Sequence, residues 1–112
     1  MIKVNQFNIG GDLIKSTDVY DLYDNKTLNN LVLSQTVLKP TQTTNGHSHA
    51  GQEEIYFFIS GRGVMTINSQ TIQVTEGDII FVPDGAFHRV YNSSMKFNLV
   101  FNCVFDGGMR NH

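Results

Sequence analysis

Three of the four histidines in the chain fall where a metal ion could use them. His47 and His49 stand two residues apart, and His88 follows in a later segment. In extended backbone, residues i and i+2 point to the same side. His47 and His49 therefore present two imidazoles together, about 6–7 Å apart along the chain. Glu54 opens the next apolar run and offers a carboxylate. His88 comes just after the turn residues Pro83-Asp84-Gly85. Three imidazoles and one carboxylate suit one divalent transition-metal ion such as Fe, Mn, Ni or Zn, and they leave positions open for a small molecule. No member of this set is telling alone. A His-x-His pair is most often an ordinary surface or core pair, and Glu53-Glu54 an ordinary solvated pair. Their joint spacing is what points to a metal. The single cysteine, Cys103, lies within Phe101-Asn102-Cys103-Val104-Phe105 and reads as a small buried hydrophobe rather than a reactive thiol. His112 is terminal and stands apart from the others.

Positioning these groups falls to β-strands. Helical periodicity is nearly absent, while period-two alternation recurs between turn residues. Residues 31–38, 54–59, 63–67, 71–74, 78–82, 87–91 and 97–105 read as strands. A hairpin closes over Asn68-Ser69-Gln70. Many short strands of even spacing mean an all-β sandwich or barrel. Residues 2–9 suit an edge strand, 21–30 a polar loop, and 106–112 a loose tail. There is no repeat or linker, so one domain over 1–112 is expected, with its core barrel at about 31–105.

Composition narrows the partners. The net charge is −2 and the basic residues are scattered, which excludes the basic stripe of a nucleic-acid binder. No apolar run has the length of a membrane span. The amino terminus lacks the apolar stretch of a signal peptide. One cysteine cannot form an internal disulfide, so a reducing, cytoplasmic setting is expected. A Phe-rich last strand on a small barrel suggests a homodimer, with a small molecule as the other partner.

Two segments carry a resemblance. His47-Ser48-His49-Ala50-Gly51-Gln52-Glu53-Glu54, then six residues and Gly61, resembles the first motif of the cupin family. Gly77, Pro83, Asp84, Gly85, His88 and Asn92 match the second cupin motif at every defined position. The likeness covers about 31–105. It implies a double-stranded β-helix, or jelly-roll barrel, with His47, His49, Glu54 and His88 as metal ligands. Glu53 and Glu54 have opposite parity, and Glu54 has the family's spacing to Gly61, so Glu54 is the expected ligand and Glu53 points outward. One departure concerns the loop. The family has Gly six residues before the first His, where this chain has Thr41, and Gly46 is expected to supply the turn instead.

With Glu54 inward, alternation turns Tyr56 and Phe58 inward as pocket-lining candidates, with Tyr56 equally suited to core packing. His88 inward puts Val90 inward and Arg89 outward. The last strand has Phe97, Leu99, Phe101, Cys103 and Phe105 on one face, and alternation alone does not say which face lines the pocket. With no cation of the right parity, a phosphorylated substrate is disfavoured. The resemblance implies a metal-dependent enzyme of dioxygenase or isomerase type. A non-catalytic binding module is the alternative. A metal-free epimerase would need a His–Asp base pair and basic phosphate contacts, which the sequence lacks.

Overall fold

A computed structural model describes residues 2–107. The chain forms β1 (Asp12–Ser16), β2 (Tyr20–Asn25), β3 (Leu31–Leu38), β4 (Glu54–Ser60), β5 (Arg62–Ile67), β6 (Gln70–Thr75), β7 (Ile79–Val82), β8 (His88–Asn92) and β9 (Leu99–Asp106). A six-stranded sheet runs β1-β2-β3-β9-β4-β7, and a three-stranded sheet runs β6-β5-β8. Every strand pairing is antiparallel.

The two inner faces share one core. The large sheet contributes Val32, Leu38, Tyr56, Phe58, Leu99, Phe101 and Phe105, and the small sheet contributes Met65, Val74 and Val90. In the small sheet these positions alternate with less buried ones, while in the large sheet the intervening residues are half-buried or, like Gln35 and Asn102, buried; a one-residue slip would turn the apolar set off the core face. β8 shows the alternation plainly, with His88, Val90 and Asn92 buried and Arg89 and Tyr91 exposed. In β9, Leu99, Phe101, Cys103 and Phe105 face the core. The face that sequence left open is therefore the interior one, and its phenylalanines are covered by the chain's own core. Phe97 does not join them; it precedes β9 and is 70% exposed.

Seven strands fall where the alternation places them, with ends shifted by one or two residues. The first thirty residues do not. Residues 2–9 form no strand; they cross the outer face of the large sheet. Buried amides hold them there: Gln35 Nε2 donates to the carbonyls of Gln6 and Phe7, and Asn102 Nδ2 donates to Gln6. Part of the expected loop at 21–30 is β2, and β1 was not anticipated. Every residue of β1 is exposed, and an edge strand wet on both faces needs no apolar alternation to reveal it. Asp106 ends β9, and the rest of the expected tail, apart from Gly107, lies outside the described residues, as does His112.

Gly46 does not make the turn before the histidines. Its φ is not positive, whereas Thr41 adopts φ 64°. Pro40 and Thr41 are the central residues of a turn closed by Gln42 N–H donating to the Lys39 carbonyl. Thr41 thus takes the left-handed conformation directly, which is costly for a β-branched residue. Gly46 has a different duty: a Cβ there would stand 2.1 Å from Phe87 Cζ. It lets the loop pass over the Phe87 ring.

Candidate metal centre

The site lies at one end of the barrel, where the two sheets meet. Glu54 is the first residue of β4 in the large sheet, and His88 is the first residue of β8 in the small sheet. The loop before β4 brings the third group. It runs beside β8 as an irregular continuation of the small sheet. Asn92 N–H donates to Gln42, Thr44 N–H donates to Val90, and His47 and His88 bridge each other. Past the histidines, Asp84 accepts a hydrogen bond from Gly51 N–H and fastens the loop to the Pro83-Asp84-Gly85 turn. Apart from the bridge at His47, the segment 47–49 is not strand, so strand alternation does not govern it; the His47 and His49 rings lie 4.9 Å apart.

His47, Glu54 and His88 each offer a donor atom, and these atoms all lie within 4.8 Å of one another. Ligands on one first-row ion, with bonds of about 2.0–2.2 Å, stand at most roughly 4.4 Å apart. The three groups are near enough for one ion to draw them together. His49 is outside this group; its ring stands beside His47 at the exposed edge. Glu54 is buried and Glu53 exposed, as the parity argument requires.

The chemistry of His88 tests whether an ion fits. Its Nδ1 is 3.0 Å from the Ala86 carbonyl. A carbonyl only accepts, so Nδ1 carries the proton and a neutral ring turns its Nε2 lone pair toward Glu54. Nε2 is 2.9 Å from Glu54 Oε2, and it is buried without a hydrogen-bond partner. Two acceptors face each other there. A cation shared between them, or a proton on the ring, makes that arrangement favourable. The donor set therefore fits a divalent ion.

The electrostatics agree. Burial opposes ionisation of Glu54, but His88 and the Cys103 thiol outweigh it and hold the carboxyl below its ordinary pKa. Burial likewise opposes a charged His88, but Glu54 and the Ala86 carbonyl raise its pKa. His47 is shifted down, by desolvation of its inner side and then by the neighbouring His88.

Under the ligands the barrel is filled. The Tyr56 ring meets the His88 ring edge-on at 5.8 Å and stacks on Phe58 and Phe101 at 6.4 and 5.5 Å. Tyr56 and Phe58 point inward as alternation requires and belong to the core. A groove of about 780 Å³ exists at the opposite end of the barrel, lined by Gly61, Arg62, Lys96 and Phe97 among others, away from the donor cluster. The residue that sequence reasoning undervalued is Cys103: its Sγ lies 3.2 Å from Glu54 Oε1. The signal was available in parity, because Cys103 shares a face with Phe101 and Phe105.

A family model for the cupin domain matches residues 34–105. The chain belongs to the cupin family. Among curated proteins, this cupin is 36% identical over 52 residues to an uncharacterised protein of Streptomyces coelicolor, covering 46% of this chain and 50% of that one. It is 32% identical over 56 residues to a protein of Thermotoga maritima named an oxalate-binding protein, covering 50% of this chain and 46% of that one. The cupin thus spans about half the length of the curated relatives it matches. Among solved structures, one described as a predicted oxalate decarboxylase from Thermotoga maritima superposes with a TM-score of 0.73 at 22% identity, over 94% of this chain and 98% of that one. The all-β, double-stranded β-helix fold is thereby established.

Proposed function

We propose that this cupin binds one divalent transition-metal ion through His47, Glu54 and His88, with His49 turning in to complete the set, and acts on a small molecule held at the open positions. The observation that carries the reading is the convergence of His47, Glu54 and His88, whose donor atoms all lie within 4.8 Å of one another, with His88 Nε2 2.9 Å from Glu54 Oε2. A bound first-row ion supplies Lewis acidity, and redox chemistry if it is iron, which suits an isomerase or a dioxygenase. The protein's part is binding and orientation. His88 is fixed by Ala86 and Glu54 by its two contacts, and the aromatic stack of Tyr56, Phe58 and Phe101 keeps water from beneath the ligands. Arg89 is exposed and lies over the Phe87 ring. A small neutral or carboxylate-bearing chelator fits this site better than a phosphorylated one.

Metal analysis of untagged protein tests the reading: about one ion per chain is expected, and below about 0.2 the four-ligand centre is wrong. Turnover of small carboxylates and enolisable compounds by the metal-loaded protein then separates enzyme from binder. A purely binding role is the second reading, and the name of the oxalate-binding relative favours it. A homodimer remains the proposed assembly. The exposed apolar side chains that could serve it include Ile79 and Phe81 on β7, 52% and 70% exposed, whereas the phenylalanines of β9 are buried.

A further inference from the structure

We infer that Cys103 is a positioning residue of the metal site, donating its S–H to Glu54 Oε1 so that Oε2 is the oxygen presented to His88 and the ion. The inference rests on the metal-centre reading above. β9 and β4 pair with Cys103 opposite Tyr56 and Phe105 opposite Glu54. Cys103 and Glu54 therefore stand diagonally on one inward face, within reach of each other across the sheet. The contact is 3.2 Å and buried, with the two residues 7% and 5% exposed.

Two features give this contact a direction. First, the carboxylate is held from both sides, with Oε1 on the thiol and Oε2 2.9 Å from His88 Nε2. Without the thiol, Oε1 would be a buried acceptor with nothing to accept, and the carboxylate could rotate away or turn both oxygens to the ion. Second, Cys103 Sγ is not among the donor atoms that cluster, while the buried His88 Nε2 is left without a hydrogen-bond partner and faces Oε2. An ion held together with His88 Nε2 would lie on the Oε2 side, with the Cys103 sulfur at Oε1 behind the carboxylate. A thiol carries its proton on sulfur and can donate it to a carboxylate oxygen, which only accepts. Hydrogen bonds behind first-sphere ligands typically govern about 10–100-fold in metal affinity.

Cobalt(II) serves as the probe, with the full-length chain. Its affinity is read by competition against a chromophoric chelator, and its coordination by the visible absorption bands. Cys103→Val keeps the packing volume and removes the donor; affinity should fall by about tenfold or more, with altered visible bands. Cys103→Ser keeps a donor and should restore affinity to within about threefold of wild type. Thermal unfolding without metal identifies any variant that fails to fold, and the serine variant then carries the test. Cobalt binding by Cys103→Val equal to wild type overturns the inference and spares the metal centre. Equal losses in Val and Ser variants indicate packing alone and also overturn it. A sulfur-to-cobalt charge-transfer band in wild type that Cys103→Ser lacks makes the sulfur a ligand, again overturning it. No cobalt uptake by wild type sinks the metal centre and this inference together.

Discussion

His47 and His88 exchange backbone hydrogen bonds in both directions, His47 N–H to the His88 carbonyl at 3.2 Å and His88 N–H to the His47 carbonyl at 3.0 Å. This reciprocal bridge joins segments forty residues apart in sequence and sets their rings 4.4 Å apart. The backbone, not the imidazoles, fixes the spacing between two of the candidate donors. Such preorganisation means that little of the binding free energy goes into assembling the site.

The ligands should differ sharply from their neighbours on substitution. Glu54→Gln and His88→Ala should each abolish stoichiometric metal binding, whereas exposed Glu53→Gln should leave it intact. Calorimetric titration with zinc and metal analysis check this. Free ion at a hundred times its Kd should stabilise the wild type by about 2.7 kcal/mol, and chelator should remove the gain. An unchanged melting curve on metal addition would contradict the assignment.

Gly46 should matter without being a ligand. In Gly46→Ala the new Cβ meets the Phe87 ring at 2.1 Å, so the loop carrying His47 must lift or the ring must move. Metal affinity should drop by about tenfold or more, because displacements near 1 Å disturb preorganised sites. Gly46→Ala combined with Phe87→Leu should recover part of the loss, since the flat ring is what blocks the methyl group. Equal affinity in wild type and Gly46→Ala would show that the loop is not held by this contact.

Thr41→Gly should stabilise the protein. A side chain in the left-handed region costs about 1–2 kcal/mol, and the added flexibility of glycine in the unfolded chain returns about 0.4–1 kcal/mol of that. The net gain should approach 1 kcal/mol, seen as a melting temperature a few degrees higher. A lower melting temperature would mean that the Thr41 side chain makes compensating contacts.

The Glu54–His88 contact should leave a signature in pH. Metal-free, His88 has a raised pKa, so its contribution is full below the ordinary 6.5 and is lost as pH rises through the folded value. Glu54 has a lowered pKa, so its contribution is present above the ordinary 4.5 and is lost as pH falls through the folded value. The stability difference between wild type and Glu54→Gln, measured in chelator, should be greatest between those two values. In the presence of metal, protons compete with the ion for His88, so affinity should fall as pH drops through the raised folded pKa of His88, above the ordinary 6.5. Denaturant melts across pH, with and without zinc, give both curves; a flat difference would rule out the coupling.

What sequence determined was pattern. Alternation in residues 31–38 and 87–91 follows from the demand that one face of each strand be dry, and it was legible because these strands bound the core. The same parity set Glu53 and Glu54 on opposite faces, with the cupin spacing to Gly61 selecting Glu54, and turned Arg89 outward. β1 was illegible because an edge strand exposed on both faces carries no such pattern. Residues 2–9 misled for a different reason: the Gln35 and Asn102 amides hold their backbone across the sheet by its carbonyls, outside any ladder, and Ile2 and Phe7 stay exposed. Only tertiary structure could decide how the metal ligands meet, because His47, Glu54 and His88 come from a loop and from strands in two different sheets. It also decided that Thr41 bears the turn while Gly46 makes room for Phe87, and that Cys103 stands behind Glu54 Oε1. Spacing along a chain fixes which side a group faces. Distances between groups on separate strands depend on pairing register and sheet packing, and these exist only once the core has formed.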